Sequence, residues 1–228
     1  MIRYFTSWYD EKNDARRAEL ITCLRNCCES PDIDVVYVLC ESPTPIMHEK
    51  LKEIPVTTRP TYNDFFLLAN GMSNEDDVVI ISNIDIYPDK HMRPLFERLE
   101  KNQSWVLSRW DIRPNGEPPV HLRRRDSQDS WMFRAPIRKI NGNFCLGYPG
   151  CDNSIACWID QAGYEISNPS NDVRFLHLHL TELRNYTTAN MVKSPYLLVE
   201  PSSIEDKTSH KHMVSWQPTA QNPLTPHI

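Results

Sequence analysis

Apolar residues form short continuous runs along the first half of the chain. The run Val78-Val79-Ile80-Ile81 is the clearest, because four apolar residues in succession are typical of a strand buried on both faces of a sheet. Similar runs occur near the start of the chain and after residue 34. The pattern predicts strands at residues 2–6, 34–39, 56–58, 78–82 and 105–110.

Amphipathic spacing predicts helices between these strands. Leu20, Cys23, Leu24 and Cys27 recur at three- and four-residue steps, so residues 14–28 are predicted to form a helix that Asp14 caps. Further helices are predicted at residues 47–54, 61–71 and 90–101. The alternation of strands and helices predicts an α/β fold with a mostly parallel sheet, covered by helices on both faces.

The pattern is less regular beyond residue 110. Short strands are predicted at residues 130–133, 144–146 and 174–180, and a helix at residues 152–163. From about Pro201 the chain is polar and rich in proline, which predicts an extended tail or linker. We therefore expect one domain at residues 1–200 and a tail at residues 201–228, and the tail is consistent with further domains of a longer chain.

Length and charge narrow the class of protein. A chain of 228 residues suits one α/β domain, and its net charge of -5 gives no overall positive field, so we expect no nucleic-acid partner. No run of about 18 apolar residues occurs, so no membrane span is predicted. The first residues lack the apolar stretch of a signal peptide. Together these features predict a cytoplasmic protein.

Cysteine and glycine spacing excludes several kinds of site. The seven cysteines form no paired C-x-x-C motifs, which argues against structural zinc and predicts reduced thiols. The six glycines form neither G-x-G-x-x-G nor a Walker loop, so dinucleotide-binding and P-loop functions lose their main support. The absence of G-x-S-x-G and H-E-x-x-H removes the usual hydrolase and zinc-protease templates.

Polar side chains follow the apolar run at residues 78–82. Asn83, Asp85 and Asp89 come after it, at the end of a strand where open α/β sheets bind ligands. Carboxylate and amide oxygens are ligands of hard divalent cations, which also bind phosphates. The motif therefore predicts a cation that bridges the protein and a nucleotide diphosphate. The alternative is an ordinary turn, because Asn, Asp and Pro are turn residues.

Three other short motifs contain candidate chemical groups. His177 and His179 lie on one face of a predicted strand, where they can ligate a metal or contact a phosphate; the alternative is a hydrogen-bonded pair beside the core. Asp129 stands near Trp131, a combination that suits sugar binding, although it also fits a loop entering a strand. Asp152 taken alone is favoured as a helix cap, with a carboxylate at the mouth of a cleft as the alternative.

Arginines are candidates for contact with phosphate, because a guanidinium binds phosphate oxygens in pairs. Arg59 is the most informative, since it lies at a predicted strand end near Tyr62. Arg16 opens the first predicted helix, and Arg109 lies at the end of a predicted strand. The basic run at residues 123–125 is expected to be solvated surface.

Seven short motifs carry a resemblance to one family. In chain order they are Phe5-Thr6-Ser7, Arg59-Pro60-Thr61-Tyr62, Ser82-Asn83-Ile84-Asp85-Ile86, Leu107-Ser108-Arg109-Trp110-Asp111, Ser127-Gln128-Asp129-Ser130-Trp131, Gly150-Cys151-Asp152-Asn153 and His177-Leu178-His179. Taken together they resemble the GT-A-type glycosyltransferases, and more narrowly the glycosyltransferase domain that large chlorella viruses encode to decorate their major capsid protein. The resemblance covers residues 1–200.

The resemblance implies a fold and an activity. The fold is a single GT-A-like nucleotide-binding α/β/α sandwich, and the activity is sugar transfer from a nucleotide-sugar, with UDP-glucose or UDP-rhamnose as the expected donor. A glycan or glycoprotein is the implied acceptor, Mn²⁺ or Mg²⁺ the implied cofactor, and retention the implied stereochemistry. For a viral enzyme, the implied location is the host cytoplasm.

The resemblance also implies roles for individual residues. Asp85 matches the second acid of a D-x-D metal motif, Asn83 stands where the first acid is common, and His177 or His179 matches a histidine that completes the metal site. The implied catalytic residues, facing the transferred sugar or the acceptor, are Asp129 and Asp152. The implied donor-binding residues are Thr6, Ser7, Tyr9, Arg59, Tyr62, Ser82, Asn83, Asp85 and Arg109.

Two other functions stay open at this point. A sugar-phosphate nucleotidyltransferase usually has a glycine-rich loop after its first strand, and the loop at residues 7–13 contains no glycine. A non-catalytic module that binds a nucleotide or glycan is the second alternative, because Asn83 replaces an acid.

Overall fold

Twelve strands and four α-helices make up the fold, in a computed structural model that describes residues 1–181, 183, 188–206 and 210–214. The strands are β1 Ile2–Trp8, β2 Val35–Cys40, β3 Leu51–Pro55, β4 Val78–Ser82, β5 Ile86–Pro88, β6 Gln103–Leu107, β7 Trp110–Asp111, β8 Ser130–Arg134, β9 Glu165–Ser167, β10 Phe175–His177, β11 Tyr196–Val199 and β12 Lys211–Val214. The helices are α1 Asp14–Glu29, α2 Tyr62–Met72, α3 Arg93–Phe96 and α4 Cys151–Gln161.

A seven-stranded sheet forms the centre, in the order β3-β2-β1-β4-β8-β6-β9. Strand β8 pairs antiparallel to both of its neighbours, and the other pairs in this sheet are parallel. The carboxyl ends of β1, β4 and β6 therefore share one edge with the beginning of β8. Loops that follow these strands meet at that edge, which is where open α/β sheets bind ligands.

Both faces of the sheet are buried because its strands carry apolar side chains on each side. In β1, Tyr4 belongs to the apolar core beneath α1, whereas the next residue, Phe5, belongs to the core beneath α2 and α4. Leu24 of α1 packs in the first core, and Phe65 of α2 and Ile155 of α4 pack in the second. The predicted α/β/α sandwich with a mostly parallel central sheet is confirmed.

A small sheet in the order β5-β10-β7 lies beside the carboxyl edge. Strand β10 is antiparallel to β5 and parallel to β7, so His177 pairs with Ile86 on one side and with Asp111 on the other. The backbone N–H of Leu178 also donates to the carbonyl of Asp85 at 3.0 Å. These pairings bring a late segment of the chain to the loop that follows β4.

Several predicted elements are confirmed, including the helices at α1, α2 and α4 and the strands at β1, β2, β4 and β8. Asn13, and not Asp14, is the cap of α1, because its side-chain oxygen accepts a hydrogen bond from the N–H of Arg16 at 2.9 Å. The predicted strand at residues 105–110 is divided into β6 and β7, and β10 is shorter than predicted.

Four predictions of secondary structure are wrong. Residues 51–55 of the predicted helix at 47–54 form the edge strand β3, where pairing with β2 overrides helical propensity, and no strand forms at 56–58. The predicted helix at 90–101 is reduced to α3, since the Arg134 side chain takes the carbonyls of Glu97 and Leu99. Residues 144–146 form no strand, and Cys145 makes only an isolated bridge to Thr61.

The segment after residue 200 was predicted to be a tail. Within it, β12 pairs with β11, and the N–H of Ser202 donates to the carbonyl of Asn168 at 2.8 Å. Residues 215–228 lie outside the described residues, and the domain boundary at residue 200 stays a prediction. Across the described part of the chain, no helix has the length and apolar character needed to cross a membrane.

Candidate active site

A cleft of about 930 Å³ opens at the carboxyl edge of the central sheet. Ser7 lies near the end of β1 on its floor, Asn83 and Asp85 follow β4, and Asp129 precedes β8. The volume lies within the range of roughly 300–1,000 Å³ that is usual for small-molecule sites. The predicted site residues that line the cleft are Ser7, Tyr9, Arg59, Asn83, Asp85, Arg109, Asp129, Asp152, His177 and His179.

Three predicted donor-binding residues lie behind the cleft wall. Thr6 and Ser82 are 0% exposed and Tyr62 is 1% exposed, so their side chains cannot reach a ligand in the cleft directly. The Ser82 hydroxyl is 2.6 Å from that of Ser130, and the Tyr62 hydroxyl donates to the Cys151 sulfur at 3.6 Å. These residues support the cleft from within the core.

Asp85, His177 and His179 form a candidate cation site. One ligand atom from each side chain lies within 4.8 Å of the other two. A carboxylate is a usual ligand of Mn²⁺ and Mg²⁺, whereas imidazole nitrogens are usual ligands of transition-metal ions. Of the two implied ions, the mixed donor set therefore fits Mn²⁺ better than Mg²⁺. Asp89 lies apart from this site, in an ion pair with Arg174 at 3.0 Å.

Hydrogen bonds orient both histidines of this site. Nδ1 of His177 lies 2.7 Å from Oδ1 of Asp111, which leaves Nε2 directed toward Asp85 at 3.3 Å. Nε2 of His179 lies 2.7 Å from the carbonyl oxygen of Leu183, so Nδ1 carries the lone pair. A carboxylate behind a histidine is a common support for a metal ligand, because it fixes the tautomer and the ring orientation.

Charges in the cleft shift the pKa values of these groups. Burial raises the pKa of Asp85, but His177 and Arg16 outweigh burial and hold that pKa well below its usual range. Burial lowers the pKa of His177, but Asp85 and Asp111 outweigh it and the net pKa is raised. Burial, Arg16 and His177 together lower the pKa of His179, which favours its neutral, metal-binding form.

Arg16 occupies an unexpected position at the candidate cation site. Its Nη2 donates to Oδ2 of Asp85 at 2.5 Å, and its Nη1 donates to Glu19 and to the carbonyl of Leu178, each at 2.9 Å. The Arg16 side chain is 6% exposed. A guanidinium on the first turn of α1 thus neutralises the same carboxylate that the histidines surround.

A second ion-pair network is centred on Arg109. Arg109 donates to both carboxylate oxygens of Asp129, at 3.2 and 3.3 Å, and to Asp111 at 3.0 Å. Nδ2 of Asn83 donates to Oδ1 of Asp129 at 2.9 Å. Asn83 is therefore engaged with Asp129. Arg109 connects Asp129 to Asp111, the carboxylate that contacts His177.

Asp152 is a half-buried acid of the cleft that forms no ion pair with a lysine, arginine or histidine among the described residues. Gly150 is the N-cap of α4, so the favoured role of Asp152 as the cap is wrong, and its Oδ2 accepts from the N–H of Gln128 at 3.4 Å. Burial, together with the nearby charge of Asp129, raises the pKa of Asp152 to about 7.

Arg59 also lines the cleft. Its guanidinium stacks on the ring of Tyr148 at 4.7 Å, and its Nε donates to the carbonyl of Leu146 at 3.1 Å. Gly147 adopts a φ of +79°, and a Cβ added there would lie 2.7 Å from Nη2 of Arg59. A glycine is therefore required where the backbone passes the guanidinium.

Sequence reasoning missed two contacts of the site. Asp111 belongs to one of the family-like motifs, but its contact with His177 depends on the pairing of β7 with β10. Arg16 was considered for contact with phosphate, but its ion pair with Asp85, 69 positions away, was not foreseen. Neither contact has a signal in the local sequence, because each joins residues that are far apart along the chain.

Comparison with known proteins informs the fold. No family model matches the chain, and no curated protein matches it. Solved structures do: a mannosyltransferase, PcManGT from Pyrobaculum calidifontis, in complex with GDP-Man and Mn²⁺, superposes with a TM-score of 0.50 at 12% identity. That match covers 81% of this chain and 58% of the other, and it shows that the chain shares the GT-A fold.

Two further structures are similar at lower scores. TarS residues 1–349 from S. aureus gives a TM-score of 0.49 at 12% identity, covering 77% of this chain and 60% of that one. A putative glucose-1-phosphate thymidylyltransferase from Bacillus anthracis gives 0.34 at 9% identity, covering 59% and 72%. The chain spans about three fifths of the length of PcManGT and of the TarS fragment.

Proposed function

We propose that this protein is a metal-dependent glycosyltransferase that uses a nucleotide-sugar donor. One observation supports this most: a carboxylate–histidine cation site and an unpaired acid with a pKa of about 7 line the same cleft. Such a pairing suits departure of a diphosphate at one end of the cleft and activation of an acceptor hydroxyl at the other.

Asp85, His177 and His179 would hold Mn²⁺ or Mg²⁺. When bound, the ion supplies Lewis-acid stabilisation of the charge that develops on a leaving diphosphate. Asp111 would keep the His177 ring in its ligating orientation through the 2.7 Å contact at Nδ1. Asn83 has a different task, since its amide donates to Asp129 and holds that carboxylate against the wall of the cleft.

Ser7, Tyr9 and Arg59 would bind the nucleotide. Tyr9 and Tyr148 offer aromatic surfaces on the side of the cleft where Arg59 presents its guanidinium. A guanidinium and an aromatic ring together suit a nucleoside phosphate, because one contacts the charge and the other the base. We propose a UDP-sugar as the donor, with UDP-glucose and UDP-rhamnose as the first two to test.

Asp152 would act as the general base on the acceptor. A group with a pKa near the working pH is the best compromise between being deprotonated and accepting a proton. Asp129 is less suited to this role, because Arg109 and Asn83 already occupy its oxygens. A base that deprotonates the attacking hydroxyl favours direct displacement with inversion, in contrast to the retention that the family resemblance implies.

The acceptor is proposed to be a glycan on a glycoprotein. The resemblance to the chlorella-virus domain makes a capsid glycoprotein the first acceptor to test. A nucleotidyltransferase is less favoured, since no glycine occurs in the loop at residues 7–13.

Turnover of a donor panel tests this proposal. The full chain is incubated with Mn²⁺ and individual nucleotide-sugars, and release of the nucleoside diphosphate is measured. We expect release from at least one UDP-sugar, and loss of release with EDTA. Binding of the donors without any release would favour a non-catalytic binding module, and formation of a nucleotide-sugar from a sugar phosphate would favour a nucleotidyltransferase.

A further inference from the structure

We propose that Arg16 is an exchangeable cation, which neutralises Asp85 while the metal is absent and binds the donor diphosphate once a divalent ion has taken Asp85. The inference rests on the proposed function, because it requires a divalent ion and a diphosphate in the same cleft. It adds to the phosphate contact considered for Arg16 a second role, as the partner of Asp85 when no metal is bound.

The first argument is the shared oxygen atom. Nη2 of Arg16 lies 2.5 Å from Oδ2 of Asp85, and Nε2 of His177 lies 3.3 Å from the same oxygen. The Asp85 carboxylate that carries this oxygen is one of the three ligand groups that converge within 4.8 Å. A divalent ion that uses it must displace the guanidinium, since two cations at that distance repel each other strongly in a partly buried site.

The second argument is the anchor on the other side of the guanidinium. Nη1 of Arg16 donates to Glu19 and to the carbonyl of Leu178 at 2.9 Å each. Glu19 in turn accepts hydrogen bonds from the N–H and the hydroxyl of Thr181, both at 2.9 Å. Because Nη1 is held on both sides, separation from Asp85 frees Nη2 while the guanidinium stays at the cleft wall.

The third argument is the position of the freed donor. Arg16 lines the same cleft as Asp85 and Tyr9. A diphosphate that binds an ion held by Asp85 would place its oxygens close to Nη2, because Nη2 lies next to Asp85. Guanidinium groups bind phosphate oxygens strongly, so the diphosphate takes the place of Asp85 as the partner of Nη2.

This exchange makes metal and nucleotide binding cooperative. Without nucleotide, Mn²⁺ has to displace Arg16 from Asp85 while the guanidinium finds no new partner, so Mn²⁺ alone binds weakly. With nucleotide, the displaced guanidinium gains a phosphate partner, and each ligand increases the affinity for the other by the same factor. Couplings of this kind are typically about 5- to 150-fold.

The test measures Mn²⁺ binding to the nucleotide-free full chain by electron paramagnetic resonance of free Mn²⁺. The variants are Arg16→Gln, which removes the charge, and Arg16→Lys, which keeps it. Arg17→Gln is the matched control, because Arg17 is the next residue on the same helix and its partner is Asp10, at 3.6 Å. UDP affinity in saturating Mn²⁺ is measured for each protein, and thermal melting verifies that each one is folded.

Opposite changes in the two affinities are expected for Arg16→Gln. Mn²⁺ alone should bind about tenfold more tightly, and UDP in saturating Mn²⁺ about tenfold more weakly. Arg16→Lys should keep Mn²⁺ binding close to that of the unaltered protein, and Arg17→Gln should change neither affinity.

Two results would overturn the exchange. If Arg16→Gln and Arg16→Lys both fold and both weaken Mn²⁺ binding, Arg16 only organises the site. If Arg16→Gln weakens UDP binding and leaves Mn²⁺ binding unchanged, Arg16 does not compete with the metal for Asp85. Should the unaltered protein bind Mn²⁺ but no nucleoside diphosphate, the proposed function fails, and the Mn²⁺ comparison alone then decides whether Arg16 competes at Asp85.

Discussion

Nδ1 of His177 lies 2.7 Å from Oδ1 of Asp111, and this contact fixes which nitrogen of His177 faces the cleft. It exists because β10 pairs in parallel with β7 and places the two residues side by side. The sheet beside the main one therefore determines the geometry of the candidate cation site.

Asp111→Asn should weaken metal binding. The amide can turn its NH₂ group toward Nδ1 of His177 and select the other tautomer, with Nε2 protonated and unable to ligate. Removal of such a supporting carboxylate typically lowers metal affinity by roughly 10- to 100-fold. Calorimetric titration with Mn²⁺ measures the change. Asp89→Asn is the control, since Asp89 pairs with Arg174 outside the cleft, and an equal decrease in both variants would contradict the role of Asp111.

Asp152→Asn should abolish most of the transfer activity and spare donor binding. A general base typically contributes roughly 10²- to 10⁴-fold to the rate. Because Asp152 acts as a base when deprotonated, kcat/KM should rise with pH through a midpoint of about 7. The variant should lose this rising limb.

A matched control for Asp152 lies on the same helix. Asp160 also belongs to α4, but it pairs with Lys211 on the far side, so Asp160→Asn should keep both the rate and the pH profile. A rising limb near pH 7 that persists in Asp152→Asn would assign the base to another residue.

Gly147→Ala should displace Arg59 and destabilise the protein. The residue has a φ of +79°, which costs an alanine about 1–2 kcal/mol, and its Cβ would meet Nη2 of Arg59 at 2.7 Å. UDP affinity should fall together with the melting temperature. Gly71→Ala is the control, because a Cβ at this position in α2 meets nothing within 4 Å, and a helical Gly-to-Ala change is expected to stabilise by about 0.4–1 kcal/mol.

Asn83→Asp should destabilise the folded protein, although it restores the acid that is common at this position of a D-x-D motif. The amide donates to Asp129 at 2.9 Å, so a carboxylate there would face a second carboxylate and lose the hydrogen bond. A decrease of about 1–3 kcal/mol in unfolding free energy is expected, since the buried Asp129 carboxylate keeps Arg109 but loses the hydrogen bond from Asn83 and gains a neighbouring negative charge. Denaturant unfolding at neutral pH measures it, and tighter Mn²⁺ binding with unchanged stability would show instead that Asn83 faces the metal.

Parts of the fold follow directly from local pattern. The four-residue step from Leu20 to Leu24 predicted α1 correctly, because a helix buried on one face repeats apolar residues at that spacing. The apolar run at 78–82 predicted β4, because a strand buried on both faces is apolar throughout. The edge strand β3 was missed because none of its five residues is buried and because its pairing with β2 does not show in the local pattern. Pattern alone does not report such pairing.

In the candidate site, too, positions set by the local sequence were predictable, whereas contacts between distant segments were not. Residues at or directly after the ends of strands, such as Ser7 and Asp85, were predictable because carboxyl ends of parallel strands meet at one edge. The ion pair between Arg16 and Asp85 was not predictable, because it depends on the three-dimensional approach of α1 to the loop after β4. Thr6 and Ser82 were placed in the donor site by motif, but they lie within β1 and β4, where both faces of the sheet are covered, and their side chains are fully buried.

The central claim is that Asp85 holds a divalent ion that in turn binds a nucleoside diphosphate. Calorimetry of UDP binding to the full chain, with Mn²⁺ and with EDTA, tests it most directly when Asp85→Asn is measured beside the unaltered protein. The account predicts binding that requires Mn²⁺ and weakens by more than about tenfold in Asp85→Asn. UDP binding of equal strength in EDTA, or in folded Asp85→Asn, would contradict it.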